Sequence, residues 1–250
     1  MSAVSAVAPH PDQAPLSEGA RIINTFVAPT KTFNDINRKA SWFVPWLLMA
    51  IVSLAVAFSV SQKIGWSQVS ENQMRMQPKR MEQMEKMPPA DRARAEKVGN
   101  AFSAGLTYGW PIMRLIGLVL VALVLMFTFN FGAGAQISFG KSLAVAMYAN
   151  LPIMLKGLLV IAFLYAGLVQ PDQYISQNPI GTNLGVFFKP GTAMYALGSS
   201  VDLFEIWILT LAAIGFACVG KVKRGTAFAI VFGWYAVLAL AGAGIAAMFS

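Results

Sequence analysis

Residues 142–169 read SLAVAMYANLPIMLKGLLVIAFLYAGLV, an apolar run with one charge, Lys156, and one proline, Pro152. About 20 apolar residues suffice to cross a bilayer as a helix, so a run this long must tilt, bend or protrude. Pro152 removes a backbone donor and places a kink inside it. A lysine within lipid is costly unless something holds it. What Lys156 touches therefore bears on both fold and function.

Four further runs meet the same length criterion: 42–61, 111–131, 201–219 and 226–249. Hydrophobic residues make up 56% of the chain and charged residues only 12%. Soluble domains carry about a quarter charged residues, so lipid is the main solvent here. A helix satisfies its own backbone in lipid, so the expected fold is all-α, a five-span bundle. The positive net charge falls mostly beside the apolar runs, which points to headgroups and not to nucleic acid. The single cysteine, Cys218, lies in an apolar run, and the single histidine, His10, in the N-terminal stretch. Neither suggests a disulfide or a histidine-based mechanism.

Residues 1–20 are rich in Ala, Pro and Ser and read as a disordered tail, with the membrane domain over 21–250. Residues 21–41 read as an amphipathic segment. Ile22, Ile23, Phe26, Phe33 and Ile36 would rest in the interface, with Arg21, Lys31, Arg38 and Lys39 at headgroups. Lys31, Arg38, Lys39, Lys141, Lys221, Lys223 and Arg224 then fall on one side of five spans. That side is expected to be cytoplasmic, giving N-in and C-out in the cell (inner) membrane. Between spans one and two, residues 62–110 form an outer loop with room for two short helices. In loop 170–200, Phe187 and Phe188 are candidates to dip into the interface. Small residues at 241–247 (AGAGIAA), and Ala213 with Ala217, fit a helix contact inside the bundle, with another membrane protein, or in a homo-oligomer.

Three motifs carry possible chemistry. GAGAQISFGKS at 132–142 has five residues, not four, between Gly134 and Gly140, and follows a span instead of a strand. It reads as an interfacial turn and not a phosphate loop. MRMQPKRMEQMEKM at 74–87 holds five of the thirteen methionines. Met81, Met84 and Met87 share a helical face, which suits either packing or a cuprous ion. The packing reading needs no metal, and no catalytic motif or cofactor site is found. The ionisable residues within the runs are Arg114, Lys156, Asp202 and Glu205. Lys156 stands about 22 Å along its helix from Lys141, which favours Glu205 as its partner, with Asp202 a turn higher and Arg114 at similar depth.

The stretches VDLFEIWILTLAAIGF (201–216) with GKVKRGTAFAI, APTKTFNDI (28–36) before WFVPW, and SFGKSLAVAMYANLPIML (138–155) resemble the bacterial branch of the Yip family, the Rab-GTPase-interacting membrane proteins and their prokaryotic relatives. The resemblance implies five spans, a cytoplasmic N-terminus, a role in membrane organisation or trafficking, and no enzyme activity. The Asp-Leu-Tyr-Gly-Pro motif that eukaryotic members carry before the first span is absent, so the resemblance does not extend to a GTPase partner. Two other classes compete: a small-solute or ion permease built around Lys156, and a copper-handling protein built on 74–87.

Overall fold

The computed structural model describes residues 14–249, so most of the expected tail, His10 and Ser250 lie outside the described residues. The fold is an all-α bundle with five segments long and apolar enough to cross a membrane. Two short helices come first, α1 (Glu18–Val27) and α2 (Pro29–Ile36). α1 begins inside the stretch read as a tail, because Ser17 caps it: its hydroxyl accepts from Ala20 N at 3.2 Å. α3 (Phe43–Lys63) is the first span. It is about 31 Å long, the thickness of a bilayer core.

The loop between the first two spans, residues 62–110, is more helical than expected. α4 (Trp66–Arg75) and α5 (Pro78–Glu85) are the two short helices. The stretch after them is no separate element. α6 (Pro89–Phe127) runs unbroken through Pro111 into the second span. At 39 residues it is about 58 Å long, nearly twice the bilayer core. Its first half packs on α4, where a Cβ on Gly99 would come 2.9 Å from Ser70 Oγ. A π-helical turn (Thr128–Gly132) then ends it. Asn130 locks the turn, giving its amide to Ile137 O at 3.0 Å and accepting from Ile137 N at 2.8 Å. Ser142, the serine of the phosphate-loop look-alike, is buried and donates to Ala122 O at 2.7 Å.

The third span is interrupted ahead of Pro152, while Asn150 and Leu151 keep helical backbone angles. α7 (Phe139–Ala149) and α8 (Pro152–Tyr165) meet at Asn150 and Leu151, with Pro152 as first residue of α8, where its missing donor is harmless. α8 lies against α3 at close range. A Cβ on Gly157 would come 2.8 Å from Val52 Cγ1 and 3.4 Å from Val56 Cγ2. α9 (Ala193–Ser200), α10 (Leu203–Gly220) and α11 (Arg224–Phe249) complete the chain. Lys221 takes the left-handed conformation, φ 52°, and turns the chain sharply between the last two. The core gathers α7, α10 and the inner end of α6, with Phe129 stacked on Phe216 at 4.9 Å.

The N-terminal segment departs from its expectation. Phe33 and Ile36 are fully buried in this core instead of lying on a surface. Phe33 sits against Gly215, where a Cβ would come 3.0 Å from its ring. Asn37 donates to Cys218 O at 3.1 Å. The amphipathic pattern describes a hairpin docked on α10. Of the small-residue faces, Ala213 and Ala217 are buried inside the bundle, while Ala241, Gly242 and Gly244 are exposed.

Candidate functional site

Lys156 Nζ lies 2.8 Å from Asp202 Oδ2. Sequence spacing favours Glu205, and the structure corrects this to Asp202 for two reasons. Asp202 is the N-cap of α10, in an extended conformation, and its Oδ1 accepts from Phe204 N at 2.8 Å and Glu205 N at 3.4 Å. Its Oδ2 is left to face Lys156 and the Thr182 hydroxyl, which donates at 2.6 Å. The spans are also offset in height. Gly157 meets Val52 and Val56 near the middle of α3, and Gly140 lies beside Ala40, ahead of α3, so the third span starts lower than the first. Asp202, at the start of α10, is level with Lys156, and the chain before it folds back to meet it. Leu184 N donates to Val201 O at 3.1 Å and Leu203 N to Thr182 O at 3.2 Å, pairing the two strands of backbone across Asp202. Tyr235 of α11 donates to Ser200 O at 2.6 Å.

Arg114 sits one element away. Its guanidinium donates to Asn150 Oδ1, at the junction between α7 and α8. Its Nε has no hydrogen-bond partner among the described residues. Glu205 acts on Arg114 through space and does not bond Lys156. The four ionisable residues thus separate into an ion pair, Lys156–Asp202, and a looser Arg114–Glu205 association.

The hairpin against α10, the interrupted third span and the five crossings set the frame for comparison. The Yip1 domain matches residues 23–246. The chain belongs to the Yip family. No curated protein and no solved structure matches it. The match covers the hairpin as well as all five spans, so docked α1–α2 belongs to the Yip1 domain apart from the start of α1.

At the edge of the matched residues lies a second polar site that composition did not reveal, with Glu18 and Arg21 just ahead of the match and Asp35 and Tyr148 inside it. Arg21, expected at headgroups, is 1% exposed. Its NH2 lies 2.7 Å from Asp35 Oδ2, and its Nε donates to the same oxygen at 2.7 Å. Glu18 is 3.5 Å from NH1 and accepts from the Tyr148 hydroxyl of α7. Thr25 and Thr32 both donate to Arg21 O, at 2.8 and 2.9 Å. Burial works against the Arg21 charge, but Asp35 prevails and holds the guanidinium above its ordinary range. The signal was present: Glu18, Arg21 and Thr25 form one polar stripe at helical spacing, opposite Ile23 and Val27.

The methionine face also rearranges. Met87 turns outward, and Met74 of α4 joins Met81 and Met84 around a hollow of about 420 Å³ between α4, α5 and α6. Glu71 and Glu96 on its rim are paired with Arg75 and Arg92.

Proposed function

We propose that this Yip-family protein is a non-enzymatic, non-transporting scaffold that organises its lipid or protein neighbours in the membrane. One observation supports this over a permease: the central carboxylate is saturated. Asp202 receives Lys156, Thr182 and two backbone N–H groups, so both its oxygens are committed to holding α8, α10 and loop 182–184 together. A site that released a solute would keep some of that capacity for the solute. Exposed Lys31, Arg38, Lys39, Lys221, Lys223 and Arg224 suit the anionic headgroups of one leaflet. We propose that this leaflet is the cytoplasmic one, with the chain N-in and C-out in the cell (inner) membrane.

Crosslinking in native membranes, with identification of captured lipid and protein, tests the scaffold role. Reconstituted vesicles should show no solute or ion flux above protein-free vesicles. Flux that disappears in Lys156→Met would establish the permease instead. Orientation is tested in a Cys218→Ala background: Glu82→Cys and Ser250→Cys should react with an impermeant thiol reagent in intact cells, and Lys223→Cys only after lysis.

A further inference from the structure

α1 is built inside out for a helix in water. A docked helix in water buries its apolar face and leaves charge outside. Here Arg21 and Thr25 are buried, at 1% and 0% exposure, while Ile23 and Val27 stand out at 64% and 74%. In water this arrangement is unfavourable twice over: apolar area is left wet, and a guanidinium is desolvated. In lipid both signs reverse. The buried Arg21, paired with Asp35 and Glu18, is hidden from hydrocarbon, and Ile23 and Val27 meet acyl chains.

The placement of α1 agrees with this. Phe26 meets Trp207 edge-on at 5.7 Å, and Trp207 lies in α10 five residues past Asp202. At the other end Glu18 meets Tyr148 of α7. Both contacts fall within segments long and apolar enough to cross a membrane, so α1 lies beside the spans, as an in-plane amphipathic helix would. α2 then descends along α10 from this level towards Cys218, carrying exposed Lys31, with exposed Arg38 and Lys39 just after it.

We infer that the α1–α2 hairpin is a wedge in a single leaflet, the one on the Lys221–Arg224 side, where Ile23 and Val27 contact acyl chains and Lys31, Arg38 and Lys39 meet phosphate headgroups. A hairpin present in one leaflet only enlarges the cross-section of the protein on that side. This gives a scaffold a physical means to respond to membrane curvature.

The test places an environment-sensitive fluorophore on Ile23→Cys and, separately, Val27→Cys, both in Cys218→Ala, with Glu82→Cys as the aqueous reference. The protein is reconstituted in vesicles of phosphatidylcholine and phosphatidylglycerol. Doxyl-labelled acyl chains should quench positions 23 and 27 at least several-fold more than position 82, and aqueous iodide should do the reverse. Iodide quenching at 23 and 27 equal to that at 82 would overturn the wedge. So would shielding from both quenchers, which would mean that a protein surface, from a second copy or another partner, covers the face.

Discussion

Replacing Lys156 with methionine and Asp202 with asparagine, singly and together, probes the central ion pair. Asp202→Asn keeps the cap, because asparagine caps about as well as aspartate, and its amide nitrogen, in place of Oδ2, can donate to the Thr182 hydroxyl once that hydroxyl rotates. Its main effect is to leave Lys156 unpaired within its span. On the insertion scale an unpaired lysine there costs about 2.5–3.5 kcal/mol, and breaking a buried pair by removing one partner costs about 3–5 kcal/mol. Lys156→Met leaves a charged Asp202 that retains Thr182 and two backbone donors, so its loss should fall at the lower end, about 3 kcal/mol. With both changes no charge remains, and the double variant should stand within about 1 kcal/mol of the parent. The single losses together exceed that of the double variant by about 4–5 kcal/mol, which is the expected coupling. Equilibrium unfolding in mixed micelles measures it. Losses that add would refute the pairing, and so would stronger coupling of Lys156 to Glu205→Gln than to Asp202→Asn.

Gly157→Ala should lower stability by about 1–3 kcal/mol, because its Cβ would press on Val52, which has little rotamer freedom in a helix, and Val52→Ala in the same chain should recover part of the loss. Burial among Val60, Val69, Val160 and Leu164 pushes the Tyr174 phenol up to about 12, despite the opposing Ser176 hydroxyl. Its protonated form is favoured in the folded state, so stability is full below pH ~10 and falls as pH rises through about 12; unfolding of loop 170–200 followed against pH should lose this drop in Tyr174→Phe. Changing Met74, Met81 and Met84 to leucine should alter stability by less than about 1.5 kcal/mol per site and leave copper tolerance unchanged; loss of cuprous-ion binding in a titration of the parent against this variant would show that the hollow binds metal.

Hydrophobic run length made the five crossings legible, because a bilayer imposes one length on every span. Pro152 stands where the third span is interrupted, because it lacks the donor that would bond the carbonyl of Tyr148. Lys156 was visible as a site because a lone charge in 28 residues has few innocent explanations in lipid. Its partner was not, since that depends on vertical offsets between spans. Those offsets come from side-chain packing, such as Gly157 on α3, and loop lengths do not encode them. Arg21 was misplaced for a related reason. An amphipathic stretch with basic residues reads as lying on a surface, and only the meeting of Asp35 and Tyr148, 14 and 127 positions along, shows the charge turned inward. The long α6 was masked by its charged first half, which resembles a loop in composition while keeping helix-forming residues throughout.

The bond from Asn37 to Cys218 spans 181 positions of chain. A ribosome finishes α2 long before it makes α10, so the hairpin leaves the exit tunnel without its seat. Throughout synthesis of four spans the buried side of the hairpin, with Phe33 and Ile36, has no α10 to rest on. The first helices made are thus among the last placed, and the step that seats them must follow release of the fourth span. Until then the chain is an open book with its first page loose, and a quality-control protease that recognises unseated apolar segments would find its target at the N-terminus of every unfinished copy.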